Sequence, residues 1–142
     1  MKILTYPNPI LDKKAQNIKN PLDLEIQKLI PGMLATMRKN NGMGLAAPQI
    51  GKSIRLCVIE HQGETYVLIN PKITSHSNIK LKNEEGCLSF PGKFIPVERF
   101  ETVQVRYLDE KGKKCKIKAQ NLLARAFQHE IDHLDGIVFI NR

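Results

Sequence analysis

Residues 122–134 read LLARAFQHEIDHL, a helical segment with Asn121 as its expected N-cap and Gly136 as its stop. His129 and His133 are four apart. They therefore share one helix face, one turn apart, and both imidazoles reach a single metal ion. Glu130 is rotated about 100° around the axis from His129. It is badly placed as a third ligand on that face, but it can hydrogen-bond a water at the metal. This is the H-E-x-x-H arrangement of metal-dependent hydrolases.

A catalytic centre of this kind needs a third protein ligand and one open position. Nine residues follow His133; they hold no His or Glu, and Asp135 sits too close along the helix end. The third ligand is therefore expected upstream. Cys87, in a loop-like stretch between Gly86 and Leu88, is the best candidate, because a thiolate binds borderline-soft divalent metals strongly. Cys57 reads as a core thiol in IRLCVIE, and Cys115 as incidental in KGKKCKIK. Three cysteines without a signal peptide argue against a disulfide framework.

The remaining chain frames this helix. It has 142 residues, one domain over 1–142, with no internal repeat, no linker and no apolar run long enough to span a bilayer. A first helix is expected from about Asp23 to Asn40, with Ile26, Leu29, Ile30, Met33, Leu34 and Met37 at three–four spacing. Pro31-Gly32 should kink it. Strands are expected at Ile54–Glu60 and Thr65–Asn70, paired across His61-Gln62-Gly63-Glu64. Shorter ones fall at Lys72–Ser75 and Ile79–Lys82, with a second hairpin of Thr102–Leu108 and Lys114–Lys118. Ile137–Ile140 reads as a last strand. The class is α+β: mostly antiparallel sheets around a central metal-binding helix, with a second helix nearer the N-terminus.

Before the strands, Gly42-Met43-Gly44-Leu45-Ala46-Ala47-Pro48-Gln49 supplies small residues and one amide. Gly42 and Gly44 let a backbone approach a ligand closely. Gln49 can donate to a developing oxyanion. The nucleotide pattern G-x-G-x-x-G is not met, because Ala47 takes the third glycine position. The balance of 22 basic to 14 acidic residues gives +8. That favours polyanions at long range, but no nucleic-acid motif appears and charge alone identifies no specific site.

Three segments together, G-x-G-L-A-A-x-Q, Glu85-Gly86-Cys87-Leu88-Ser89 and Gln128-His129-Glu130-Ile131-Asp132-His133, resemble the peptide deformylase family over about Leu4 to Ile140. The resemblance implies hydrolytic removal of the formyl group from the N-terminal formyl-methionine of newly made proteins, releasing formate. It implies Cys87, His129 and His133 as metal ligands and Glu130 as general base and acid. Gln49 and the Leu88 N–H become oxyanion donors, and Gly44 a backbone partner of the substrate chain. Met43, Leu45, Leu122, Ala126 and the stem of Arg125, its head reaching water, would line the substrate slot. Arg99 resembles a family arginine near the bound peptide.

The metal read from ligand chemistry alone is zinc. The resemblance implies one ferrous ion per chain, with zinc, nickel or cobalt as substitutes. Expected partners are formyl-methionyl nascent peptides and, through the basic surface, transient contact with the ribosome; no membrane partner is expected. The expected compartment is the cytoplasm, or an organelle or viral context with bacterial-type translation. The chain ends soon after the metal helix, where many bacterial relatives continue into a further helix, so no docking role of such an extension is carried over. The competing readings are another H-E-x-x-H metallopeptidase and a basic binding module with a structural metal. A structural site needs four protein ligands, and three are found.

Overall fold

The computed structural model describes residues 1–142. Helix α1 spans Leu24–Lys39, and the Asp23 carboxylate caps it by accepting the Glu25 N–H at 3.0 Å. Ile26, Ile30, Met33 and Met37 form its buried stripe. The helix is not broken at Pro31-Gly32. It runs on to Lys39, with Pro31 exposed on the side away from that stripe.

Seven strands follow: β1 Gly44–Ala46, β2 Leu56–His61, β3 Glu64–His76, β4 Lys80–Cys87, β5 Phe90–Phe100, β6 Thr102–Leu108 and β7 Lys114–Gln120. Five form an antiparallel sheet in the order β1-β2-β3-β6-β7, and β4-β5 form a separate two-stranded ribbon. The β2–β3 hairpin turns at Gln62 (φ 49°) and Gly63 (φ 78°). Two positive φ values match the right-handed twist of the flanking strands.

Three expectations about the strands need correction. The expected strands Thr65–Asn70 and Lys72–Ser75 are one strand, β3. Its register shifts between Ile69 and Lys72, where Asn70 is left-handed (φ 52°) and Pro71 needs no ladder hydrogen bond. The Asn70 amide ties this bulge to Ile18, accepting its N–H at 2.8 Å and donating to its carbonyl at 2.9 Å. Strand β5, with Pro91, Gly92 and Pro96, was not expected at all. Both strands of a two-stranded ribbon are edges, and edges tolerate proline. Ile137–Ile140 is not a strand: Phe139–Asn141 form a 3-10 turn, with Val138 and Phe139 packed on Leu11, Phe90 and Val97.

Helix α2 spans Asn121–Leu134. Asn121 does not cap it with its side chain. It takes a left-handed backbone (φ 56°) as the first helical residue, which Asn tolerates, and Gln120 stands at the cap. At the other end Gly136 (φ 75°) closes the helix as expected, donating to the His133 carbonyl at 3.1 Å while Ile137 donates to that of Asp132 at 2.8 Å. Arg55 and the Ala15 N–H both donate to the Leu134 carbonyl at 2.8 Å.

The two helices take opposite faces of the large sheet. Strand side chains alternate between faces. Cys57, Ile59, Leu68, Val103 and Val105 therefore pack on α2, while Leu56, Val58, Val67 and Ile69 pack on α1. The polar stripe of α2 is left facing β1 and the β4–β5 ribbon. No helix is long and apolar enough to cross a membrane.

Candidate active site

Cys87, at the end of β4, meets His129 and His133 of α2, and one ligand atom from each lies within 4.8 Å of the others. Cys87 Sγ is 3.3 Å from His133 Nε2. Burial holds His133 well below its ordinary pKa, so its ring stays neutral with a lone pair to give. Burial also opposes charge on His129, but Glu130, Cys87 and Glu85 outweigh it and hold its pKa up at about 10. Surroundings that retain a proton on this ring are equally suited to retaining a cation there.

Alternation along β4 places Glu85 on the same face as Cys87. Its Oε1 lies 2.8 Å from His129 Nδ1. That contact commits Nδ1 to donating a proton and leaves Nε2 to face a metal. Burial disfavours the Glu85 charge. Hydrogen bonds from His129 and Arg99 nevertheless hold its carboxyl well below the usual range. The strand that delivers the thiol thus also delivers the group that orients a histidine. Glu85 had no expected role; its signal in the sequence was E-x-C, legible only once both residues are known to lie on one strand.

Glu130 is 5% exposed, and its Oε1 has no hydrogen-bond partner. Buried polar atoms seldom lack one. The other such atom in the protein, His133 Nδ1, belongs to the same cluster. Burial pushes the Glu130 carboxyl up to about 7, against the pull of His129. Gly44 lies directly over it: a Cβ there would sit 2.5 Å from Glu130 Oε2.

Gln49 comes from the 3-10 turn Ala47–Ile50. Its Oε1 accepts the Ala46 N–H at 2.9 Å, which sets the amide so that Nε2 faces Ser89 Oγ at 3.0 Å and Cys87 Sγ at 3.7 Å. These groups open on a cleft of about 510 Å³. Of the residues expected at the site, Met43, Gly44, Gln49, Cys87, Leu88, Leu122, Arg125, Ala126, His129 and Glu130 line it, and His133 lies beneath.

Two expected residues do not reach the cleft, and one reaches it differently. Leu45 is fully buried against α1, because alternation on β1 turns Gly44 and Ala46 toward α2 and Leu45 away. Arg99 is 4% exposed and lies behind the histidines. It donates to Glu85 at 2.8 and 3.0 Å and pairs with Asp132, which also holds Arg142 at 2.6 and 2.9 Å. The Arg125 head does not reach water. It turns inward to Glu85 and to the carbonyls of Val97 (2.9 Å) and Leu81 (2.7 Å), clamping the ribbon to α2. A buried carboxylate with two carbonyls is a better partner set for a guanidinium than solvent at a cleft floor.

Two imidazoles and a cysteine sulfur beside a buried carboxylate define the centre of a metal-dependent hydrolase. The polypeptide deformylase family model matches residues 1–142. A peptide deformylase of Thermodesulfovibrio yellowstonii is 48% identical over 147 residues, covering 100% of this chain and 88% of its own. One from Desulforudis audaxviator is 46% identical, with 99% and 92% covered. Among solved structures, the Thermotoga maritima peptide deformylase superposes with a TM-score of 0.96 at 37% identity, covering 99% and 95%. The Synechococcus elongatus enzyme in complex with actinonin gives 0.97 at 41%, covering 100% and 78%. The chain belongs to the polypeptide deformylase family.

Proposed function

We propose the following division of labour in a metal-dependent hydrolase that removes the formyl group from the N-terminal formyl-methionine of newly synthesised proteins. Cys87, His129 and His133 hold one divalent ion, and their donor set and spacing fit it. When bound, that ion supplies Lewis acidity, acidifying water and polarising the formyl carbonyl. Ferrous iron is the ion we assign, with zinc, nickel or cobalt as substitutes.

The rest is done by the chain's own side chains. Glu130, raised by burial toward neutrality, accepts the proton of the attacking water at its unpartnered Oε1. As the water oxygen joins the formyl carbon, Gln49 Nε2 and the Leu88 N–H donate to the developing oxyanion. Each such donor is typically worth about 2.7–4 kcal/mol. Glu130 then passes the proton to the nitrogen as the C–N bond breaks, and formate and a free amine leave.

β1 is an edge strand beside the cleft, so the substrate backbone can add to it at Gly44. Its first side chain enters between Met43, Leu122, Ala126 and the stem of Arg125. The partners are formylated nascent chains, met through transient ribosome contact on the basic surface, in a cytoplasm or another compartment with bacterial-type translation.

The observation that carries this reading is the buried, unpartnered Glu130 Oε1 beside three converging ligand atoms. Release of the free N-terminal amine from equal-length formyl-Met and acetyl-Met peptides tests it. Turnover of the first alone is expected. Equal turnover of both, or cleavage of internal peptide bonds, favours the metallopeptidase reading.

A further inference from the structure

We propose that the solvent face of β3, β6 and β7 binds the phosphate backbone of structured RNA. The choice of RNA rests on the nascent-chain reading above; the site itself rests on the sheet. Helix α1 packs on β1, β2 and the Val67–Ile69 part of β3, and reaches the β6–β7 turn, where Gln27 donates to the Glu110 carbonyl at 2.7 Å. Beyond it the same face of the sheet has no cover. Val103, Val105 and Ala119 point to α2, so their neighbours along the strands point to water.

Register puts Lys72, Arg106 and Lys116 directly opposite one another across three strands. Lys114 and Lys118 flank Lys116 on β7, and all five are exposed. None of the five enters an ion pair. Like charges directly opposite in a sheet are destabilising. The fold therefore carries a repulsive rung that a bound polyanion would relieve. Successive lysines on β7 stand about 6.8 Å apart, a repeat suited to consecutive phosphates.

The chemistry of the face selects among polyanions. No large exposed hydrophobic residue lies on it. It therefore lacks the apolar wedge a membrane surface would take up and the aromatic anchor of a protein interface. The next rung, Ser75–Gln104–Lys118, borders a recess of about 340 Å³. A hydroxyl, an amide and an ammonium there can hydrogen-bond phosphate and ribose hydroxyl oxygens.

The test measures binding of a fluorescein-labelled RNA hairpin to the metal-loaded enzyme across a salt series. The triple variant Lys72→Gln, Arg106→Gln, Lys116→Gln should weaken binding roughly tenfold or more and flatten the log–log salt slope by about three. A control triple at Lys13, Lys14 and Lys52, exposed elsewhere, removes the same charge and should change both much less. Equal losses in the two triples, no hairpin binding, or tighter binding of a charge-matched polyglutamate or DNA hairpin would overturn the proposal. Turnover on formyl-Met peptide, measured alongside, should stay unchanged in both triples. Its absence in the wild type would sink the deformylase reading and leave the binding result standing.

Discussion

A Cβ at Gly44 would lie 2.5 Å from Glu130 Oε2, so the edge strand and the carboxylate of the metal helix occupy one another's space only because residue 44 has no side chain. Gly44→Ala should push Glu130 aside without touching the three metal ligands. A displacement of about 1 Å at such a group can cost about 10²-fold in rate. The expected outcome is a lower kcat at unchanged metal content. A variant that matches wild type would show that Glu130 has room to spare.

Glu85 is a positioning residue acting through His129. Glu85→Gln should weaken metal affinity by about 10–100-fold, as loss of such partners does. Titration against a chelator with a metal indicator measures this directly. Asp132 touches Arg99 but no metal ligand, so Asp132→Asn should leave affinity much closer to wild type.

Removing the metal should expose Cys87. Alkylation followed by mass spectrometry should show it slow in the loaded protein and fast after chelation. Cys57 is fully buried, and burial pushes its thiol well up, so it should stay silent in both forms. Cys115, half-buried and remote, should label equally in both. Equal labelling of Cys87 in the two forms contradicts ligation.

The slot formed by Met43, Leu122, Ala126 and the Arg125 stem should favour a linear thioether over a methyl group. Formyl-Met peptides should exceed formyl-Ala peptides in kcat/KM by at most about 10–200-fold for each methylene-sized group missing from the side chain. Equal values would leave the chemistry in place and remove the assigned slot.

The metal helix was legible because helical spacing turns sequence separation into a shared face: His129 and His133 needed no tertiary information. Cys87 came from the shortage of ligands downstream, and the structure brings it within reach. Strand alternation, applied to β1, would have turned Leu45 away from the cleft. Applied to β4, it would have joined Glu85 to Cys87. Neither step is possible until the strand limits are known. The directions of Arg99 and Arg125 were not legible at all. Both guanidiniums are drawn to Glu85, which lies 14 and 40 residues away in sequence. β5 escaped because proline argues against a central strand, and nothing local reveals a two-stranded ribbon.

The central claim is that Glu130 moves the proton at a centre built by Cys87, His129 and His133. Metal content and turnover of Glu130→Gln, measured on the same preparation, address it most directly. Glutamine keeps the shape but cannot take the proton. The predicted result is one metal per chain with turnover reduced by about 10²–10⁴-fold, whereas near wild-type turnover at full metal content would contradict the claim.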